Sequence, residues 1–162
     1  VEPVLPLTEF EDLNPIVGEA RLRLVEVDWS TSGLPRAGMW RASFVIDDFN
    51  GDKIPDVIAP PSRLGDGRLK VFLGDGKGKF SAWKLSFTEN GKPDERFFID
   101  YGGVAVGDID GDGKKDVVTA SHGGGLVSLF GDGRGGFRIV RTGLPKRDFS
   151  SQAIVLLDAD GD

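Results

Sequence analysis

The sequence predicts an all-β chain made of repeated units of four short antiparallel strands, and three observations carry that reading. Glycine supplies 24 of the 162 residues, about twice the usual ~7%, with no collagen-type triplet, so tight turns are frequent. The apolar runs are rich in Val, Ile, Leu and Phe and too short for helices. One pattern also recurs: Asp48-Phe-Asn50-Gly-Asp52-Lys-Ile-Pro-Asp56, then Asp108-Ile-Asp110-Gly-Asp112-Gly-Lys-Lys-Asp116, then an opening Asp158-Ala-Asp160-Gly-Asp162.

Residues 1–18, with prolines at 3, 6 and 15, read as an extended arm or linker. From Glu19 to Trp29 the apolar Leu22, Leu24 and Val25 or Val27 alternate with charges, as in a half-exposed strand. Residues 19–40 are therefore expected to carry the outer strand of a preceding, incomplete unit. Unit one, residues 41–100, is expected to place strands at 42–47, 56–59, 68–73 and 80–87. Unit two, residues 101–150, places them at 103–107, 116–120, 125–130 and 137–141. A third unit, 151–162, supplies only its first strand at 152–157, and the pattern breaks off before a ninth-position acid, as expected of part of a larger protein.

The units match beyond the acidic loops. Leu69-Lys-Val-Phe-Leu-Gly-Asp-Gly-Lys-Gly-Lys-Phe80 aligns with Leu126-Val-Ser-Leu-Phe-Gly-Asp-Gly-Arg-Gly-Gly-Phe137, and unit one holds its extra residues in the turn from Pro60 to Gly67. Turns absorb length change where strands do not. A four-stranded antiparallel unit recurring about every 50 to 60 residues has the period of a β-propeller blade. The chain is read as about two full blades plus pieces of two more. Closure of a ring is expected to come from sequence outside these residues or from another chain.

The loops place oxygen side chains at positions 1, 3, 5 and 9. Calcium is a hard cation that takes six to eight oxygens at roughly 2.3–2.6 Å, and a carboxylate-rich flexible loop suits it. Loop one offers Asp48, Asn50, Asp52 and Asp56 with the carbonyl of Ile54. Loop two offers Asp108, Asp110, Asp112 and Asp116 with the carbonyl of Lys114. Asp158, Asp160 and Asp162 begin a third, partial site. Gly51 and Gly111 at position 4 permit the sharp bend. Against this stands a plain reading, in which Asn-Gly and Asp-Gly pairs only make hairpin turns; the repetition of every ligand position favours metal. An EF-hand or dockerin loop needs a carboxylate at position 12 and flanking helices, whereas here the closing acid is at position 9 and strands flank it.

The net charge of -6 is local: ten aspartates fall in the three loops, and the remainder is slightly basic. Nucleic acid is not an expected partner, because duplex binding needs clustered Lys and Arg. The absence of cysteine excludes disulfides, thiolate nucleophiles and zinc-thiolate sites within these residues. No apolar run approaches a membrane span, so this segment is not expected to insert, and the first residues lack the apolar core of a signal peptide.

Three further motifs read as structural. Gly74-Asp-Gly-Lys-Gly78 and Gly131-Asp-Gly-Arg-Gly135 are superficially like phosphate loops but precede strands and not helix N-termini, so Asp75 and Asp132 are expected to be turn residues. His122, the lone histidine, stands beside no nucleophile elbow and reads as a turn or surface residue. Trp29, Trp40, Trp83, Tyr101, Phe80 and Phe137 suggest either a sugar-stacking platform or packing between blades, with packing favoured. No catalytic residue is assigned.

The paired loops and the Val-Phe-Leu-Gly-Asp-Gly and Ser-Leu-Phe-Gly-Asp-Gly hairpins resemble FG-GAP repeats, also called VCBS repeats, over most of residues 40–162. The pattern D-x-[DN]-x-D-x-x-x-D is complete twice. In that family, which includes the integrin alpha-chain head and many secreted bacterial proteins, blades form a propeller of seven or a similar number. The resemblance implies calcium between the first two strands of each blade. The expected function is a calcium-stabilised, non-enzymatic binding or scaffolding module of a larger secreted, periplasmic or cell-surface protein, with a protein or carbohydrate ligand and the rest of its own propeller as partners. Two alternatives remain open at this stage. One is the propeller domain of an extracellular polysaccharide-active enzyme, and the other is a structural subunit of a large membrane-associated or filament assembly.

Overall fold

The computed structural model describes residues 29–40, 44–144 and 153–158. The arm at 1–18, the alternating stretch at 19–28 and the third-loop residues Asp160 and Asp162 lie outside the described residues. Among those described there is no α-helix. Within residues 29–40 a 3-10 turn spans Trp29–Thr31, and the rest of that stretch holds no strand. This segment is tied down where the Trp40 indole donates to the Pro60 carbonyl at 3.0 Å and the Arg63 amide donates to Met39 at 2.9 Å.

The first sheet holds β1 (Val45–Asp47), β2 (Asp56–Ala59), β3 (Lys70–Gly74) and β4 (Phe80–Ala82), in that order and antiparallel throughout. The second holds β5 (Ser86–Glu89), β6 (Lys92–Pro93), β7 (Gly102–Gly107), β8 (Asp116–Ser121), β9 (Gly125–Gly131) and β10 (Gly136–Val140), in the order β6-β5-β10-β9-β8-β7. Among the described residues the two sheets do not close into a barrel or propeller. Each contains one four-stranded meander of the expected kind, and in unit two the strand ends agree with expectation to within a residue.

Unit one departs from expectation at its last strand. The run expected at 80–87 divides: β4 stays on the first sheet, and β5 crosses to pair in parallel with β10, Phe87 opposite Phe137. The physical cause is burial. Phe87 is 8% exposed, with its ring 5.8 Å from that of Phe137 and 4.5 Å from that of Phe97. An Asn90-Gly91 turn, with both residues at positive φ, then folds β6 back on β5, the hairpin chemistry that this dipeptide favours. A second departure concerns the strand expected at 152–157: residues 153–158 run outside both sheets, although Leu156 reaches the neighbourhood of Gly107.

One apolar core joins the sheets. Ile58 and Val71 reach it from the first, and Val117, Val127, Leu129 and Ile139 from the second. Every residue of β8 is buried, as expected of a strand with neighbours on both sides and both faces covered. Burying a side chain such as Leu129, at 0% exposure, contributes about 1.5–3 kcal/mol. Phe49 belongs to loop one yet is 3% exposed, stacked 5.9 Å from Phe137 and set edge-on 6.1 Å from Trp83.

Candidate metal centre

Both acidic loops are the connections between the first two strands of a meander, and they sit in the same register. Asp47 faces Asp56 across β1 and β2, and Gly107 faces Asp116 across β7 and β8. The ninth-position acid therefore opens its strand directly opposite the residue that closes the one before. Gly51 and Gly111 take φ of 82 and 74, the left-handed bend expected at position 4.

Asp56 and Asp116 are almost fully buried, at 0% and 1% exposure. Each bridges two elements. The Phe49 and Gly74 amides, both at 2.9 Å, donate to the two oxygens of Asp56. The Ile109 and Gly131 amides, both at 2.8 Å, donate to the two oxygens of Asp116. The ninth acid thus ties its own loop to the Gly-Asp-Gly hairpin that follows the third strand. A side chain at Gly74 or Gly131 would run into the carbonyl oxygen of Pro55 or Lys115, so the hairpin lies directly against the loop. Sequence reasoning read these glycines only as turn formers. The available signal was their identical place before the hairpin aspartate in both units.

In loop two, Asp108, Asp110 and Asp116 each present a carboxylate oxygen within 4.8 Å of the others. Oxygens bound to one calcium at roughly 2.3–2.6 Å stand at most about 5 Å apart, so this donor set fits a hard divalent ion. The bridging role of Asp116 does not compete, since each carboxylate oxygen has a second lone pair. Asp112 is engaged elsewhere: its carboxylate accepts from the Lys114 ammonium and, at 2.9 Å, from the Lys114 amide. The Lys114 side chain holds the Asp112 carboxyl below the usual aspartate range, aided by that amide, and Asp112 in turn raises the Lys114 ammonium. Arg138 also approaches, 3.8 Å from Asp110.

Loop one is folded onto its own backbone. Asp48 accepts from the Gly51, Asp52 and Lys53 amides at 2.8, 3.0 and 2.9 Å. Asn50 donates to Asp52, which also accepts from the Ile54 amide at 2.8 Å. Lys53 sits at φ 67 where loop two has Gly113 at 83, a conformation costly for a residue with a Cβ. Among the described residues only loop two gathers three acids within that distance. Asp158 is exposed at the end of residues 153–158.

The other singled-out residues also have clear places. Asp75 accepts from the Lys77 and Lys79 amides at 2.7 and 2.9 Å, and Asp132 from the Arg134 and Gly136 amides at 2.7 and 2.9 Å, so both are turn residues. Trp83 and Phe137 pack between the sheets, while Phe80 is half-buried. His122 lies in the turn after β8, stacked 4.8 Å from Tyr101.

Repeated β-meanders, each opened by an acidic loop that its own hairpin clamps, define a class of β-repeat proteins with a loop able to hold a metal. Residues 48–119 match the FG-GAP-like repeat family, and this stretch, which spans both complete loops, is an FG-GAP-like repeat region. No curated protein and no solved structure matches the chain significantly.

Proposed function

We propose that the chain is a calcium-stabilised segment of a β-propeller-like module that binds or scaffolds other molecules, without catalysis, in a secreted, periplasmic or cell-surface protein. The observation that carries this is the convergence of Asp108, Asp110 and Asp116 in a loop already fastened to the core through Asp116. FG-GAP-like repeats are typical of extracellular binding modules, where calcium is abundant enough to fill modest sites. Among the described residues no helix is long and apolar enough to cross a membrane.

Calcium would neutralise carboxylates that otherwise repel one another. In loop two Asp108, Asp110 and Asp116 would hold it, with Asp112 and the Lys114 carbonyl completing the shell. In loop one Asp48, Asn50, Asp52, Asp56 and the Ile54 carbonyl would do the same. Binding to the native state alone stabilises by about 2.7 kcal/mol per site at 100 times Kd. For a chain of this length that is roughly 5–10 °C in melting temperature. The test is a thermal melt of the full chain with calcium and with chelator. Calcium is expected to raise the midpoint by about that amount for each site filled and magnesium by less, because magnesium demands tighter octahedral geometry. Coincident melts would overturn the proposal.

A further inference from the structure

At the end of β7 and β8 remote from the acidic loops lies an open groove of about 250 Å³. Its chemistry is mixed. Phe98, Asp100, Ser121, His122, Gly123 and Arg141 all face it. Phe98 is the unusual member, a phenylalanine 61% exposed between the buried Phe97 and Ile99. Its ring rests on Gly67, where any side chain would collide with it, and the Ile99 amide donates to the Gly67 carbonyl at 3.1 Å. One face of the ring is therefore backed by the chain and the remainder is open to solvent.

The polar groups around it are also positioned. The Asp100 amide donates to Ser121 Oγ at 3.1 Å, and the Asp100 carboxylate caps the Tyr101 amide at 2.8 Å and lies 3.5 Å from His122 Nδ1. Tyr101 stacks on His122, and the Arg63 guanidinium covers Tyr101 at 5.6 Å. Arg141 gives its Nε to Glu89 at 3.1 Å. The formal charges around the groove balance, since the carboxylates of Asp100 and Glu89 are matched in number by the guanidiniums of Arg63 and Arg141. A strongly charged ligand gains little there. A neutral ligand with one apolar face and a rim of hydroxyls satisfies every feature: its C–H face covers Phe98, and each hydroxyl both donates and accepts, as carboxylate, imidazole and guanidinium neighbours require.

We propose that this groove is a saccharide-binding site, with Phe98 as the stacking platform and Asp100, His122 and Arg141 as the hydrogen-bonding rim. It deepens the binding-module reading by naming a ligand class, but it uses no residue of the metal loops. The volume suits one sugar ring, for which affinity on the order of 1 mM is the reasonable scale.

The test is amide-resolved NMR titration of the full chain in calcium buffer with glucose, galactose, mannose and N-acetylglucosamine. At least one sugar should shift the Phe98, Asp100, His122 and Gly123 signals saturably. Phe98→Ala should weaken that binding about tenfold, Phe98→Trp should keep it, and Asp100→Asn should weaken it severalfold, all with melting temperatures close to that of the parent. Shifts that persist unchanged in Phe98→Ala, or no saturable shift with any of the four sugars, would overturn the proposal. So would shifts at these residues that follow protein concentration without sugar, since a second copy of the chain would then be the occupant. The calcium melt is read separately, so a failure of the metal reading and a failure of the sugar site are distinguishable.

Discussion

Asp110 and Asp116 belong to one loop and bear different loads. Asp116 is buried and satisfies two backbone amides from separate elements, whereas Asp110 is exposed, accepts from the Asp112 amide at 3.3 Å and lies 3.8 Å from the Arg138 guanidinium. Asp116→Ala strands two donors and is expected to cost about 2–4 kcal/mol, seen as a lower melting temperature with or without calcium. Asp110→Ala should leave the chelator melt unchanged and remove loop two's share of the calcium increment, with loop one's share kept. Paired melts of the two variants separate structural from ligand roles. Lys114 supplies a further check. Its ammonium occupies the Asp112 carboxylate and adds positive charge beside the ion's place, so Lys114→Ala should tighten calcium binding severalfold in a calorimetric titration. The expected Lys114 ligand, its backbone carbonyl, survives that change.

At the scale of elements, the hairpins show how a carboxylate shapes a turn. The Lys79 and Lys77 amides, in that order of effect, hold the Asp75 carboxyl below the ordinary aspartate value of 3.8. Its folded pKa is depressed, so its stabilisation is present above the unfolded value and is lost as pH falls through the folded one. Asp75→Asn, which cannot ionise, should be less stable than the parent near neutrality, and the gap should close below the ordinary aspartate range in denaturant melts followed down in pH. A gap that does not change with pH would assign the effect to hydrogen bonding alone. This turn chemistry was legible in the sequence because it is local: Asp, Gly and the next amides lie within a few residues. The acidic loops and the unit-two strands were legible for the same reason. The crossing of β5 to β10 was not, because an alternating apolar run specifies a strand but not which sheet it joins; the Asn90-Gly91 pair marked only the turn that follows. The bridging of Asp56 to Gly74 was likewise hidden, since it links residues far apart in sequence that only folding brings together.

For the whole molecule, that crossing means the two units share one core and are not independent beads. Unit one sends β5 and β6 onto the second sheet, inserts Phe49 against Phe137, and at the loops pairs Asp47 with Lys115 at 2.7 Å. The ion pair is partly exposed and adds little; the aromatic packing dominates. Phe49→Ala is therefore expected to cost about 3–5 kcal/mol and to destabilise both sheets together. Ile109 occupies the same loop position in unit two but is 41% exposed, so Ile109→Ala should change stability by less than about 1 kcal/mol. Hydrogen exchange at β2 and β9 tests the coupling directly. If Phe49→Ala lowers protection in both strands by the same free energy, the units unfold as one cooperative body. If β9 keeps its protection while β2 loses it, the second sheet stands alone and the shared core is not what holds the repeats together.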